Sequence, residues 1–428
     1  MPTRRILMSF FEYRNGTLCA ENIRLSQVAE AVGTPCYVYS RAAFETQWSA
    51  LNEAFGEYPH SICYAVKANS NIAILNILAQ LGSGFDIVSQ GELKRVLMAG
   101  GDPEKVVFSG VAKSVSELEF ALNQGVKSIN IESVAELTRV QEVAASLNKT
   151  ASIAIRVNPD VDPQTHPYIS TGMDEAKFGV PMELAFEAYT QAQSMPNIHI
   201  HGIACHIGSQ ITKTSPFSDS LRIVIAMVKR LAENGIKIEQ LDLGGGLGID
   251  YQGETPPTAK EYVNAMIDGV SESGLELPIT IEPGRYIAGN SGVLLTQVEY
   301  LKRNDRKGFA IVDAGMNDLL RPSLYQAHHD IWPVNQSMDQ PKQSYDVVGP
   351  VCESADVLGY DRELSVQSGD LLSVMSAGAY SFAMAGNYNS RLRPAEVMVD
   401  GDQVHVIRQR EEFEDLIKGE SLLNDGEN

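Results

Sequence analysis

A lysine stands where an apolar run stops, in Ser61-Ile-Cys-Tyr64-Ala-Val-Lys67-Ala-Asn69. Such a lysine is either an ion-paired, snorkelling side chain or a desolvated amine of lowered pKa that forms an imine with an aldehyde. Another apolar run leads into His206-Ile-Gly-Ser209-Gln210. His201 and His206 invite a metal reading, but neither a carboxylate nor a second histidine stands at ligand spacing beside His206, so no metal is expected. The imidazole can instead lie against a flat ring. Asp242-Leu-Gly244-Gly245-Gly246-Leu-Gly248 is a tight turn or a loop whose backbone N–H groups cradle a phosphate, without the Lys and Ser/Thr of a P-loop. Glu282-Pro-Gly284-Arg285 sets a carboxylate beside an arginine. That is a local ion pair, or a partner for a protonated ring nitrogen next to a guanidinium for a substrate carboxylate. An aldehyde for the lysine, a phosphate for the glycines and a basic nitrogen for the glutamate are the three handles of pyridoxal phosphate.

These residues need elements that bring them to one place. Each follows a short β-branched run, and the runs recur at 61–66, 85–88, 106–109, 128–131, 152–157, 201–207, 240–243 and 278–281, separated by stretches of helical spacing. Eight strand–helix units over about 250 residues predict an α/β fold, a TIM (β/α)8 barrel, whose chemistry sits where its strands end. Ser89 to Glu92, Ser114 to Glu117 and Ser133 to Glu136 are capping boxes that start helices just after strands. After Arg285 the helical spacing fades and strand-like runs at 293–300, 308–312, 346–348 and 371–375 are bounded by Gly, Pro and Asn. They predict a mainly β C-terminal domain, closed by a hairpin at 396–407 with an Asp400-Gly401 turn. Asn15-Gly16 predicts a hairpin near the N-terminus that cannot easily join a closed barrel, so it is expected to pack with that β domain. The expected division is 1–34, 35–285 for the barrel and 286–428 for the β domain, with a short helix at 411–418 before an acidic tail.

Of 428 residues 44% are hydrophobic and 21% charged, ordinary globular material with room for a large core. Lys plus Arg number 34 against 54 Asp plus Glu, a net charge of −20, the wrong sign for nucleic acid or an anionic membrane. Five cysteines without metal-type pairing or scaffold density fit a reducing, cytoplasmic setting. After Arg4-Arg5 the apolar stretch is broken by Glu12 and Arg14, short of a signal-peptide core, and no stretch approaches the ~20 apolar residues of a membrane span.

The chain closely resembles the diaminopimelate decarboxylase family, within the alanine racemase-like (fold type III) enzymes of pyridoxal phosphate. The resemblance is carried by Tyr64-Ala-Val-Lys67-Ala-Asn69, Gly84-Phe-Asp86-Ile-Val-Ser89, His206-Ile-Gly-Ser209-Gln210, Gly244-Gly-Gly246, Glu282-Pro-Gly-Arg285, Arg321-Pro-Ser-Leu-Tyr325, Gly349-Pro-Val-Cys352-Glu353-Ser354 and Ala379-Tyr380, in that order. It implies a barrel plus a β domain that holds both chain ends, and decarboxylation of meso-2,6-diaminopimelate to L-lysine. It implies Lys67 as the imine lysine and Cys352 as the proton donor. The implied cofactor residues are Lys67, Asp86, His206, Ser209, Gly245, Gly246, Glu282, Gly284, Arg285 and Tyr380. Arg285, Arg321 and Tyr325 would bind the carboxylate at the substrate's non-reacting end, Glu353 its distal ammonium, and Tyr380 both substrate and cofactor. It also implies a homodimer in which the Cys352 loop enters the partner's site. Arg391-Leu-Arg-Pro394 and Thr171-Gly-Met-Asp174-Glu-Ala-Lys177 differ from the commonest family wording. The competing expectations are a related decarboxylase of ornithine, arginine or carboxynorspermidine, and a non-catalytic pyridoxal phosphate carrier.

Overall fold

The computed structural model describes residues 10–162, 177–336 and 341–423. The chain divides into two compact units, Arg41–Ser291 and Met1–Ser40 with Gly292–Asn428. In the first, eight parallel strands close on themselves: His60–Ala65, Gly84–Ile87, Val106–Phe108, Ser128–Ile131, Ala151–Asn158, Ile198–Ala204, Gln240–Asp242 and Ile279–Ile281. Strands covered on both faces carry near-continuous apolar runs, and Gly84–Ile87, Val106–Phe108 and Ser128–Ile131 are buried at every position. The two-residue strand Val180–Pro181 adds itself beside the fifth.

The helices begin where the capping residues predict. Ser89, Ser114 and Ser133 each accept the N–H of the glutamate three residues on. Only Glu117 returns to its own cap residue. Glu92 and Glu136 reach one residue further back, to the N–H groups of Val88 and Glu132, both at 2.7 Å, and so clamp each strand end to the helix that follows. Between the third strand and its helix Lys113 is enclosed, its side chain 1% exposed. Its Nζ donates to the carbonyls of Gly110 (2.7 Å) and Asn130 (2.8 Å) and pairs with Glu136 at 2.8 Å.

In the second unit Gly292–Arg303 is the central strand, pairing with Cys36–Ser40, Gly308–Val312 and Leu371–Val374. The sheet extends through Gln343–Val348 to Val357–Leu364 on one side and through Ala395–Asp400 to Gln403–Arg408 on the other. Cys36–Ser40 lies on the barrel side of the boundary expected at 35, yet its hydrogen-bond partners are Gly292–Arg303 and Ala395–Asp400. A short run buried at all five positions does not reveal from its own pattern which sheet it joins. The N-terminal hairpin, Phe11–Arg14 with Thr17–Ala20, turns at Asn15 and Gly16, both at positive φ (51° and 79°), as a two-residue turn of right-handed twist requires. It packs into the β unit: the Leu18 N–H donates to the Val334 carbonyl at 2.7 Å, and Phe11, Leu18 and Ala20 share one core with Val293, Leu295 and Val397. In the C-terminal hairpin Asp400 pairs with Gln403, so Gly401-Asp402 forms the turn, one residue later than expected. The final helix is Phe413–Leu416. The differing wording at 171–176, the N-terminal residues 1–9 and the end of the acidic tail lie outside the described residues. Among the described residues no helix is long and apolar enough to cross a membrane.

Removing one partner of a buried ion pair strands the other charge. Lys113→Ala is expected to destabilise the protein by about 3–5 kcal/mol, read from the urea unfolding midpoint.

Candidate active site

In the barrel unit the predicted residues converge at the C-terminal ends of the strands, and parallel pairing is the reason. Lys67 sits in the 3-10 turn Val66–Ala68 that follows the first strand. Ala65 pairs with Asp86 on the second strand, and the Lys67 Nζ lies 2.6 Å from the Asp86 Oδ2. The lysine side chain is 39% exposed while the aspartate is fully buried, so the amine reaches from a charged anchor into open space. His206 follows the sixth strand, and its Nδ1 accepts the Gly245 N–H at 3.1 Å, which puts the ring proton on Nε2. Burial, then the charges of Arg156 and Lys67, push its pKa well below the usual range, so the ring is neutral. Two glycines of the seventh loop are required by close approach. At Gly245 a Cβ would sit 2.2 Å from the Glu282 carbonyl oxygen, and at Gly246 (φ +113°) 2.5 Å from that of Gly208. Gly284 precedes the short helix Arg285–Ala288. The Arg285 Nη2 donates to Ser209 Oγ (3.0 Å) and its Nη1 to Tyr251 Oη (2.8 Å).

Glu282 directly follows the eighth strand, buried, and its Oε1 has no hydrogen-bond partner among the described residues. Burial first, then the negative charges of Asp242 and Asp86, raise its pKa well above the carboxylate range, against a smaller lowering by Lys67. Asp242 is raised as well, by burial and by Asp86, while the Asn130 amide (3.1 Å) and the Gly244 N–H (3.1 Å) stabilise its ionised form. Glu282 therefore holds a proton against Asp242, and its second oxygen is turned to where a basic nitrogen would fit. With the amine of Lys67 and the backbone cradle of the glycines, the donor set suits pyridoxal phosphate.

The β unit holds the remaining predicted residues on three segments. Arg321 opens the helix Arg321–Tyr325 and is buried; its Nη1 donates to His329 Nε2 at 2.7 Å. The His329 Nδ1 donates to the Met375 carbonyl at 2.8 Å, which fixes the tautomer, because arginine cannot accept and a carbonyl cannot donate. Tyr325, half-buried, closes that helix. Cys352 and Glu353 are exposed on the loop 349–356, and the Cys352 N–H donates to Asn389 Oδ1 at 2.7 Å. Asp356 holds this loop from behind: its Oδ2 accepts the Val351 N–H (2.7 Å) and its Oδ1 the Met316 N–H (2.6 Å). The Ser323 hydroxyl donates to the Ala355 carbonyl at 2.7 Å, joining loop to helix. Tyr380 has φ 56°, a left-handed conformation that an aromatic residue keeps only when its surroundings impose it. Arg391 and Arg393 of the differing segment serve the framework, donating to the Asp313 carbonyl (2.6 Å) and pairing with Glu411 (3.2 Å).

Several residues of the rim escape sequence reasoning. Asp242 and Asn130 support Glu282; Arg156, paired with Glu132 at 2.8 Å and set over the Phe178 ring, charges the surroundings of His206. A signal existed in each case, a charged or amide residue inside an otherwise apolar parallel strand, as in Ile155-Arg156-Val157 and Gln240-Leu241-Asp242. His329 and Asp356 lie in loops with no such contrast. Asp356→Ala leaves the Met316 and Val351 N–H groups without their acceptor, at about 1–3 kcal/mol each. The amides of 349–356 are expected to exchange with deuterium faster, read by hydrogen-exchange mass spectrometry.

A family model described as "Pyridoxal-dependent decarboxylase, pyridoxal binding domain" matches residues 41–289. A diaminopimelate decarboxylase of Haemophilus influenzae is 52% identical over 416 residues, 97% of this chain and 100% of its own. One of Aquifex aeolicus is 46% identical over 410 residues, 96% and 97% respectively. Among solved structures, diaminopimelate decarboxylase from M. jannaschii in co-complex with L-lysine superposes with a TM-score of 0.92 at 38% identity, covering 96% of this chain and 98% of that one. The Helicobacter pylori enzyme complexed with L-lysine gives 0.89 at 42%, covering 92% and 98%. With likeness of this degree along nearly its whole length, the chain belongs to the diaminopimelate decarboxylase family of pyridoxal phosphate-dependent enzymes.

Proposed function

We propose that the protein decarboxylates meso-2,6-diaminopimelate to L-lysine and carbon dioxide, the closing step of lysine biosynthesis. The observation that carries this reading is the buried Glu282, whose Oε1 has no hydrogen-bond partner among the described residues, on the same strand-end rim as the Asp86-anchored Lys67. Bound there, pyridoxal phosphate supplies an electron sink for the pair left when the carboxyl group departs. Lys67 would be the residue that holds the cofactor's aldehyde group, and Asp86, 2.6 Å from its Nζ, would position that amine. The open Oε1 of Glu282 would face the ring nitrogen and hold a proton on it, the positive charge so placed offsetting the negative charges of Asp242 and Asp86. Gly245, Gly246, Gly284 and Ser209 would hold the phosphate, Arg285 would serve phosphate and substrate, and the neutral ring of His206 would lie against the cofactor ring.

Substrate choice follows from charge. Arg285, Arg321 and Tyr325 bind the carboxylate of the non-reacting end, Glu353 the distal ammonium, and Tyr380 contacts substrate and cofactor. His329 holds the Arg321 guanidinium at a fixed angle for this task. A simple basic amino acid such as ornithine offers no second carboxylate, and leaving buried arginines unmatched costs about 1–3 kcal/mol each. Cys352, a free and exposed thiol, would be the proton donor to the carbon that loses its carboxyl group. Its exposure on a braced loop suits a homodimer in which each copy inserts this loop into the partner's site. The five free thiols suit a reducing, cytoplasmic setting.

Incubation with meso-diaminopimelate is expected to yield L-lysine by mass spectrometry, while ornithine and arginine yield no decarboxylated product. Lys67→Ala is expected to abolish both turnover and the visible absorbance of the cofactor-loaded protein; persistence of the yellow species overturns the cofactor assignment. Cys352→Ala should lower kcat by about 10²- to 10⁴-fold with cofactor content unchanged, and a near-normal kcat removes the cysteine from its role.

A further inference from the structure

We propose that His199, His201 and Glu239 form a binding site for a zinc-class divalent transition-metal ion at the starting ends of the sixth and seventh barrel strands. His199 and His201 lie two residues apart on the strand Ile198–Ala204, and Glu239 immediately precedes the strand Gln240–Asp242. The strand register slips at His201: Ile200 pairs with Ile153 and Gly202 with Ala154, so His201 is the extra residue of a bulge, a device that re-aims a side chain. The result brings one nitrogen of each imidazole and one carboxylate oxygen within 4.8 Å of one another.

The distances distinguish a metal site from a hydrogen-bonded cluster. Glu239 Oε2 lies 3.3 Å from His199 Nε2 and 3.4 Å from His201 Nδ1. Charge-assisted N–H···O⁻ bonds are about 2.7–2.9 Å long, so neither contact is well made as a direct bond. Ligands bound tetrahedrally at about 2.0–2.1 Å stand about 3.3–3.4 Å apart along the edges of the tetrahedron, which is the separation of each histidine nitrogen from the Glu239 oxygen, all three atoms lying within 4.8 Å of one another. Two imidazoles and one carboxylate suit zinc, nickel or copper, with water in the fourth position. The outer partner that orients a metal-bound histidine is also present. Gln240 Oε1 accepts from His201 Nε2 at 2.6 Å, so Nδ1 turns its lone pair towards Glu239, and the Gln240 amide is itself anchored on the buried Thr280 hydroxyl. His199 and Glu239 are roughly half exposed and His201 23% exposed, so an ion has a path in. The site would fasten the bulged start of the sixth strand to the seventh. It does not rest on the decarboxylase reading.

The test uses tag-free holoenzyme stripped with a chelator, then equilibrated with micromolar Zn²⁺ and analysed by elemental mass spectrometry and thermal unfolding. One zinc per chain and a raised Tm are expected for the wild type and for Cys352→Ala, which excludes the exposed thiol as the ligand. His199→Ala and Glu239→Gln should each lose that equivalent, with Kd weakened at least 100-fold, while circular dichroism and decarboxylation are unchanged. Gln240→Leu should weaken Kd by about 10- to 100-fold. Co²⁺ should give the intense visible bands of a tetrahedral site in the wild type only. A wild type that binds no zinc at these concentrations, or His199→Ala and Glu239→Gln proteins that bind it as the wild type does, overturns the proposal.

Discussion

Three carboxylates share one enclosed space at the strand ends of the barrel, and the rest of the site is arranged around the cost of keeping them there. Asp86, Asp242 and Glu282 are all buried, and like charges so placed destabilise one another by several kcal/mol unless they are neutralised or solvated by protein dipoles. The structure uses three remedies. Lys67 supplies a positive charge at 2.6 Å from Asp86, the Asn130 amide and the Gly244 N–H replace water around Asp242, and Glu282 retains a proton. The last remedy matters most for function. An acid raised in pKa by its buried neighbours and left with one open oxygen is suited to face a positively charged group such as a protonated ring nitrogen. The same negative cluster keeps the Lys67 ammonium in place.

The β unit solves a different problem, the rigid display of polar groups on irregular backbone. A loop that presents an exposed thiol and an exposed carboxylate cannot be held by its own apolar side chains, so it is held by one buried acid. Asp356 takes two backbone N–H groups from separate segments, and burial raises its pKa in spite of them. Gly349 is the only residue type that lets the chain pass, since a Cβ there would stand 2.4 Å from the Asp356 Oδ2. Arg321 is treated alike: His329 and the Met375 carbonyl form a chain of donors and acceptors whose chemistry allows one orientation. Both devices convert flexible side chains into fixed ones.

The legible part of this protein was local. Lys67 and Glu282 stand out because a charged residue that ends an apolar run in a parallel strand has nowhere to point but the barrel mouth. The capping serines are legible because their hydrogen bonds close within three residues, although Glu92 and Glu136 proved to reach back to the strand rather than to the cap. The Asn15-Gly16 turn is legible because both positions need positive φ. Asp86 emerged only from family resemblance, since an aspartate in a four-residue strand has no periodic signature. Arg156 was marked only by its contrast with the apolar strand around it, and His329 and Asp356 were not legible, because each acquires its role from partners distant in sequence.

By itself, then, the sequence determined the alternation of strand and helix, the positions of the turns, and the residue types that suit a phosphate, an aldehyde and a ring nitrogen. These follow from backbone geometry and hydrogen bonds that close within a few residues. Only the tertiary structure decided that Cys36–Ser40 belongs to the β sheet, that Glu282 shares a proton with Asp242, and that His199, His201 and Glu239 face one another. Each of these depends on the register between strands that meet only when a sheet forms, and side-chain chemistry changes when burial and a neighbour's charge set its pKa.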